Sequence, residues 1–380
     1  MLDTAARTAF DDDHAMFRDT VRKVFSRELV PNLEKHEHEG IVGREFWLAC
    51  GEAGLLCPTV KPEYGGLGLD FGYNVVVAEE LAYAGSSAGI TLQNDIVAEY
   101  IEKYGSEEQK RKYLPGMVTG EIITAIAMTE PGAGSDLQGI RTTAKKDGNH
   151  YVINGSKTYI TNGQNADLII VVAKTDPTLG AKGTSLILVE SNTPGYKRGR
   201  NLDKIGQHSA DTSEMFFEDV RVPMTNCLGE EGQGFIYLMS QLPQERLSIA
   251  VSAQAVAQRA FDEAVAFTKD RKAFGKTVFE FQNTKFTLAG LKADLQVGWA
   301  HLDWAIRRHV AGELTTAEAS AAKLWHTEMQ NRLVDVALQL HGGAGYMNEY
   351  MVARLWRDSR VTRIFGGTNE IMREVVSRSI

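Results

Sequence analysis

The chain has 380 residues, 43% of them hydrophobic and 24% charged, with a formal net charge of -8. That length exceeds one simple core and suggests two or three domains, and the acidic balance argues against a nucleic-acid surface. The cysteines Cys50, Cys57 and Cys227 form no C-x-x-C and the histidines no metal-type cluster, so reduced thiols, an intracellular compartment and no metal are expected.

The opening M-L-D-T-A-A-R-T-A-F-D-D-D is acidic and mixed, unlike a signal or basic transit peptide. A cytoplasmic protein without a leader or membrane span is expected. From Asp13 to about Arg111 the apolar period is helical. Helices are expected at Glu45–Ala53, closed by Gly54, at Asn74–Ala84 and at Ile90–Tyr104. Ser106 and Gln109 suggest a capping box for the next helix. Pro62–Asp70 reads as a glycine-rich turn rather than a phosphate cradle, because no strand precedes it. The small residues Gly85–Gly89 either leave room for a ligand or let two helices pack closely.

Around Gly120 the period changes. Short alternating or β-branched runs follow at Ile122–Ala127, His150–Ile153, Leu168–Ala173, Ser185–Val189, Glu214–Phe217 and Val220–Val222, with Asp147-Gly148 and Asn154-Gly155 as turn dipeptides. From Phe235 the helical period returns, over Phe235–Gln241, Pro243–Arg271, Phe281–Ala311, Thr316–Leu340 and Glu370–Arg378. The order helices, strands, helices predicts an α+β multidomain chain. Its expected parts are an α-helical domain over 1–120, a β-rich domain over 121–234 and an antiparallel helix bundle over 235–380.

Two stretches carry candidate chemistry. Met128–Asp136, M-T-E-P-G-A-G-S-D, resembles part of a G-x-G-x-x-G but leads into strand and turn, which excludes a dinucleotide-binding Rossmann unit. Its exposed backbone N–H groups still suit a polar ring edge or phosphate. Leu242–Leu247, L-P-Q-E-R-L, reads as a helix start with Pro243 in the first position and Glu245 and Arg246 in the first turn. On position alone, Glu245 is better explained by complementing the helix dipole than by a functional role.

Five segments in order, M-T-E-P-G-A-G-S-D, N-G-S-K-T-Y-I-T-N-G, R-K-A-F-G-K, L-Q-L-H-G-G-A-G-Y and R-I-F-G-G-T-N-E-I, make the chain resemble the acyl-CoA dehydrogenase family over essentially its whole length. Q-L-P-Q-E-R-L points to the long-chain branch, with the isovaleryl type as neighbour in base placement. The resemblance implies a β-barrel middle domain, a C-terminal four-helix bundle, and FAD bound across a subunit interface of a homotetramer (a dimer of dimers). It implies oxidation of an acyl-CoA to a trans-2-enoyl-CoA, with electrons passed to an electron-transfer flavoprotein.

By the same resemblance Ala127, Met128, Thr129, Gly134 and Ser135 would border the flavin, with Ser135 also reaching the CoA moiety. Tyr159 would pack on the flavin and Thr161 would place a hydroxyl near N5. Arg271, Phe274 and Gln282 would hold the FAD of a neighbouring subunit. Gln339, Gly342 and Gly343 would approach its adenosine half, and Thr368 and Glu370 would border its phosphates. Arg246 and Gly367 would help to position substrate. Most relatives carry a glutamate base where this chain has Gly366, which has no side chain to take a proton. The long-chain and isovaleryl types place the base where Glu245 stands, and the Gly366 N–H would remain a donor to the thioester oxygen. Oxidase or flavin-oxygenase chemistry on the same scaffold, or a non-catalytic acyl-CoA- or flavin-binding scaffold, are the alternatives.

Overall fold

The computed structural model describes residues 7–380, and the first six residues of the acidic opening segment lie outside that range. Helices fill the first part: α1 (Asp12–Val24), α2 (Leu33–Glu39), α3 (Arg44–Glu52), α4 (Phe71–Tyr83), α5 (Ile90–Leu92), α6 (Ala98–Tyr104) and α7 (Glu107–Thr119). The Ser106–Gln109 capping box is present at the start of α7. A π-turn over Gln93–Val97 joins α5 to α6 without a break. Every residue of α4 except Tyr73 is buried, Asn74, Glu79 and Glu80 included, so its carboxylates need cationic partners. Its Glu79 takes guanidinium bonds from Arg7 and Arg18, each at 2.6 Å. Arg7 also reaches Asp303 at 2.6 Å, which ties the N-terminal helices to the later ones.

The middle region is a curled sheet of seven strands: β1 (Thr124–Ala127), β2 (Thr143–Asp147), β3 (His150–Thr161), β4 (Leu168–Lys174), β5 (Thr184–Glu190), β6 (Tyr196–Asn201) and β7 (Thr212–Pro223). β4 is buried at every position. Leu168, Ile170 and Val172 face the core shared with the N-terminal helices, and Ile169, Val171 and Ala173 face the sheet's own core. Burial on both faces explains why its sequence is a continuous apolar run rather than an alternation. Asp147-Gly148 makes the expected β2–β3 turn, with Gly148 at φ 60°. Asn154-Gly155 does not turn the chain. It lies inside β3, where the pairing with β7 slips between Ile153 and Gly155, so this glycine serves a bulge. The two runs expected at 214–217 and 220–222 are one strand.

The last part holds α8 (Gly234–Asp270), α9 (Gln282–Val310), α10 (Thr316–His341), α11 (Met351–Ser359) and α12 (Asn369–Ser377). A two-residue hairpin of β8 (Lys272–Ala273) and β9 (Lys276–Thr277) separates α8 from α9. The expected break at Pro243 is absent. Pro243 sits inside the single 37-residue helix α8, so Phe235–Gln241 and Pro243–Arg271 are not separate helices. Proline removes one helical hydrogen bond, yet burial of Leu238 and Gln241 before it and of Gln244 and Glu245 after it holds both halves in line. Glu245 therefore sits in a helix interior, and the helix-dipole account of its position falls away. The helix α11 was not expected from the sequence.

Close packing against a helix is seen at Gly85, where an added Cβ would meet Met351 of α11, whereas Gly89 packs against Asn162, just past the end of β3. A Cβ added at Gly89 would lie 1.9 Å from Asn162 Oδ1, whose amide donates to the carbonyls of Gly89 and Thr124. Gly89→Ala is expected to lower stability by about 1–3 kcal/mol through overpacking, read as a lower melting temperature.

Candidate active site

Glu245 is 6% exposed and lies where α8 meets α6. Its Oε1 accepts the Tyr100 hydroxyl at 3.0 Å. Burial pushes its pKa up to about 7, against the opposing effects of the Tyr100 hydrogen bond and the Arg246 charge. Loss of hydration thus outweighs both, because an ionised carboxylate away from water is the disfavoured form. A carboxyl group titrating near neutrality is suited to taking a proton from carbon.

The next residue points elsewhere. Arg246 is buried and donates to Ser320 Oγ at 3.0 Å, and its Nε has no partner. Gly366 and Gly367 both hold positive φ, 64° and 90°, and lie over the same stretch of α8. A Cβ added at Gly366 would lie 2.3 Å from Ile249 Cδ1, and one at Gly367 would lie 3.8 Å from Arg246 Nη2. Ile249 is one helical turn beyond Glu245, so its side chain fills the space in which a side chain at 366 would begin. The Gly366 N–H has no hydrogen-bond partner among the described residues. Arg246 and Gly367 are therefore brought together, and Gly366 lies against Ile249, one turn along α8 from Glu245. Glu370 is not part of this group: it is exposed in the first turn of α12, 3.6 Å from Arg373.

A second group forms at the end of β1. Thr129 Oγ1 donates to the Thr158 carbonyl at 2.5 Å, and the Thr158 N–H returns a bond to the Thr129 carbonyl at 3.0 Å. Beneath them the fully buried Lys157 ammonium donates to the Met128 carbonyl and to Glu130 Oε1, both at 2.9 Å. The Glu130 carboxylate also accepts the N–H groups of Arg141 and Thr142. Lys157 and Glu130 thus fix the shape of the Met128–Asp136 loop, a role the sequence alone did not reveal. The register slip between Lys157 and Ile160 turns Tyr159 out of β3 at φ 61°, leaving it 70% exposed. An aromatic residue in left-handed backbone and in solvent is costly unless something covers it. Met128, Thr129, Tyr159 and Thr161 share this edge. Ala127 is buried in the sheet core, and Gly134 and Ser135 lie exposed in the loop.

Arg271, Phe274, Gln282, Gln339, Gly342 and Gly343 are all exposed. Phe267 stacks on His341 at 4.3 Å, which puts the C-terminal ends of α8 and α10 side by side. Phe274 is 96% exposed at φ 53°, in the turn between β8 and β9. At 1.5 Å rise per residue, Arg271 lies roughly 39 Å along α8 from Glu245. Thr368 caps α12 by accepting the Ile371 N–H.

Known proteins match this chain along its whole length. The acyl-CoA dehydrogenase N-terminal, middle and C-terminal domain models match residues 11–121, 125–220 and 232–380. The long-chain specific acyl-CoA dehydrogenase of Sus scrofa is 48% identical over 383 residues, covering 100% of this chain and 89% of that protein. The chain belongs to the acyl-CoA dehydrogenase family. The crystal structure of an acyl-CoA dehydrogenase from Geobacillus kaustophilus superposes with a TM-score of 0.97 at 51% identity, covering 98% of this chain and 99% of that one. An acyl-CoA dehydrogenase from Bacillus anthracis complexed with FAD superposes with a TM-score of 0.91 at 33% identity, covering 97% of this chain and 67% of that one.

Acyl-CoA dehydrogenases use FAD, and the residues present fit it. The Met128–Thr129 edge offers backbone groups held rigid from below, and Tyr159 offers an uncovered aromatic face. Cβ atoms added at Gly132, Gly134, Gly342 and Gly343 would meet nothing within 4 Å, so the backbone there is open to close approach. Lys157→Met would leave Glu130 buried without its cation. It is expected to cost about 3–5 kcal/mol of stability and to weaken FAD retention, measured by thermal unfolding and by flavin release on dilution.

Proposed function

We propose that this enzyme oxidises a long-chain or branched acyl-CoA in fatty-acid β-oxidation with Glu245 as its base. The observation that carries the base assignment is the pairing of a buried, neutral-range carboxyl at Glu245 with a glycine at 366 whose side-chain space Ile249 occupies. The similarity to a long-chain specific relative supports the substrate class. Glu245 takes the α-proton of the thioester and becomes a neutral carboxylic acid. Tyr100 donates to the carboxylate beforehand and holds it in one orientation. The Gly366 N–H donates to the thioester oxygen as that oxygen gains negative charge. Bound FAD supplies the acceptor for the hydride that leaves the β-carbon, and the product is a trans-2-enoyl-CoA.

In this reading Met128, Thr129, Tyr159 and Thr161 line the flavin ring, Ser135 stands between flavin and CoA, and Thr368 and Glu370 border the phosphates. Arg271, Phe274, Gln282, Gln339, Gly342 and Gly343 hold the cofactor of a neighbouring subunit. The separation of Arg271 from Glu245, roughly 39 Å along one helix, supports this division. A homotetramer and an electron-transfer flavoprotein as electron acceptor complete the proposal. No helix of the described residues is long and apolar enough to cross a membrane.

The decisive experiment is Glu245→Gln. FAD and acyl-CoA are expected to bind normally, while anaerobic bleaching of the flavin by acyl-CoA slows by roughly 10³-fold or more. Bleaching at the normal rate would rule Glu245 out as base. In the wild type, kcat/KM is expected to rise with pH through an inflection near 7, because only the ionised carboxylate accepts a proton. Tyr100→Phe removes a bond that favours the ionised form, so the inflection should move to higher pH. A pH–rate profile of each enzyme checks both expectations.

A further inference from the structure

Beneath the Gly366–Gly367 turn lie two buried cations that form no salt bridge among the described residues. Lys323, on α10, is completely buried. Its ammonium donates to the Gly367 carbonyl at 2.9 Å and to Asn369 Oδ1 at 2.8 Å, both neutral acceptors. Arg246 is 4% exposed and spends its one hydrogen bond on a hydroxyl, that of Ser320, one turn before Lys323 on α10. The two positive charges repel: burial and then Arg246 lower the Lys323 pKa to about 8, while Glu328 and Glu370 act weakly the other way. Both of those carboxylates have other arginine partners, Glu328 with Arg363 at 2.7 Å and Glu370 with Arg373 at 3.6 Å.

Burying a charge without a counter-charge costs more than burying a neutral donor that makes the same hydrogen bonds. A neutral amide would hold the Gly367 carbonyl equally well. What needs an explanation is therefore the charge, and the Gly366–Gly367 turn beside it is where negative charge develops in the reaction. The free Gly366 N–H lies in that turn, and Glu245 lies next to Arg246 on α8.

We infer that Lys323 is a positioning residue for the acyl-CoA reaction, fixing the Gly366–Gly367 turn through the Gly367 carbonyl and supplying a positive field that favours the enolate form of the bound thioester. The inference rests on the reading of Glu245 as the base. Removal of the α-proton transfers H⁺ to Glu245 and leaves the electron pair delocalised onto the thioester oxygen. The negative charge thus passes from Glu245 to the thioester oxygen, and Lys323, bonded to the turn that holds that oxygen rather than to Glu245, favours the second position over the first.

The test uses the FAD-loaded enzyme and a 3-thia-acyl-CoA, in which sulfur replaces the β-carbon so that the α-proton can leave but no hydride can follow. Its enolate gives a long-wavelength charge-transfer absorbance with oxidised flavin. In Lys323→Met the ratio of enolate to neutral ligand at fixed pH should fall by about tenfold or more, with the dissociation constant of the enoyl-CoA product changed by less than about twofold. With substrate, kcat should fall by a similar factor and KM should stay nearly constant. Lys323→Gln, which keeps a polar head and loses the charge, should show the same loss and serves if the methionine variant does not accumulate as a flavoprotein. A wild-type charge-transfer band in the variants, with only the melting temperature reduced, would overturn the role of Lys323. A Glu245→Gln enzyme that still gives the wild-type band would instead overturn the assignment of Glu245.

Discussion

The withdrawal of the Glu245 carboxyl from water is the constraint on which the rest of the site depends. Left in solvent, this side chain would be ionised throughout the neutral range and a poor match for a carbon acid. Packing of α8 against the N-terminal helices removes its hydration, and the Tyr100 hydroxyl then returns one hydrogen bond to it. Both parts of that arrangement come from outside the bundle that contains Glu245. The N-terminal helices therefore do more than close a cavity: they set the protonation chemistry of a residue on another part of the chain. The ties from Arg7 to Glu79 and Asp303 help to hold the two parts in register.

Much of the architecture was legible in the sequence because its signals are local. The change from helical to strand period near Gly120, the Ser106–Gln109 box and the Asp147-Gly148 turn each depend on residues close together. Two local readings failed for a shared reason. Proline suits a helix start, and Asn-Gly suits a turn, but contacts with distant segments overrode both: burial carried α8 through Pro243, and pairing with β7 carried β3 through Gly155. The strand β6 escaped notice because its residues, Y-K-R-G-R-N, show no apolar alternation at the sheet edge. At nine residues, α11 is too short for its period to stand out among the glycines and aromatics before it.

The candidate site divides in the same way. Its motif residues could be named from order and spacing, and Gly366 together with Glu245 could be read as a relocated base. The groups that tune them could not. Tyr100 is 145 residues from Glu245, and Lys323 is 44 residues from the Gly367 carbonyl. Lys157 and Glu130 are 27 apart and look in sequence like ordinary surface charges. No pattern in one sequence signals a contact that only tertiary packing creates. The glycine pair at 366 and 367 links the two levels, since its positive φ values are local while its neighbours, Ile249, Arg246 and Lys323, come from two other helices.

The π-turn at Gln93–Val97 gives the α5–α6 rod one residue more than a regular helix would need over the same length. Each residue of a helix advances the side-chain direction by about 100°. The orientation of Tyr100 toward α8 is therefore set upstream by that extra residue. Shortening the segment by a single residue would relax the rod into a regular spiral and swing the phenol away from Glu245, without altering any amino acid in contact with the substrate. The reactivity of the carboxyl is in this sense recorded in the length of a helix as well as in its composition, and comparison of homologous chains by residue identity alone would overlook it.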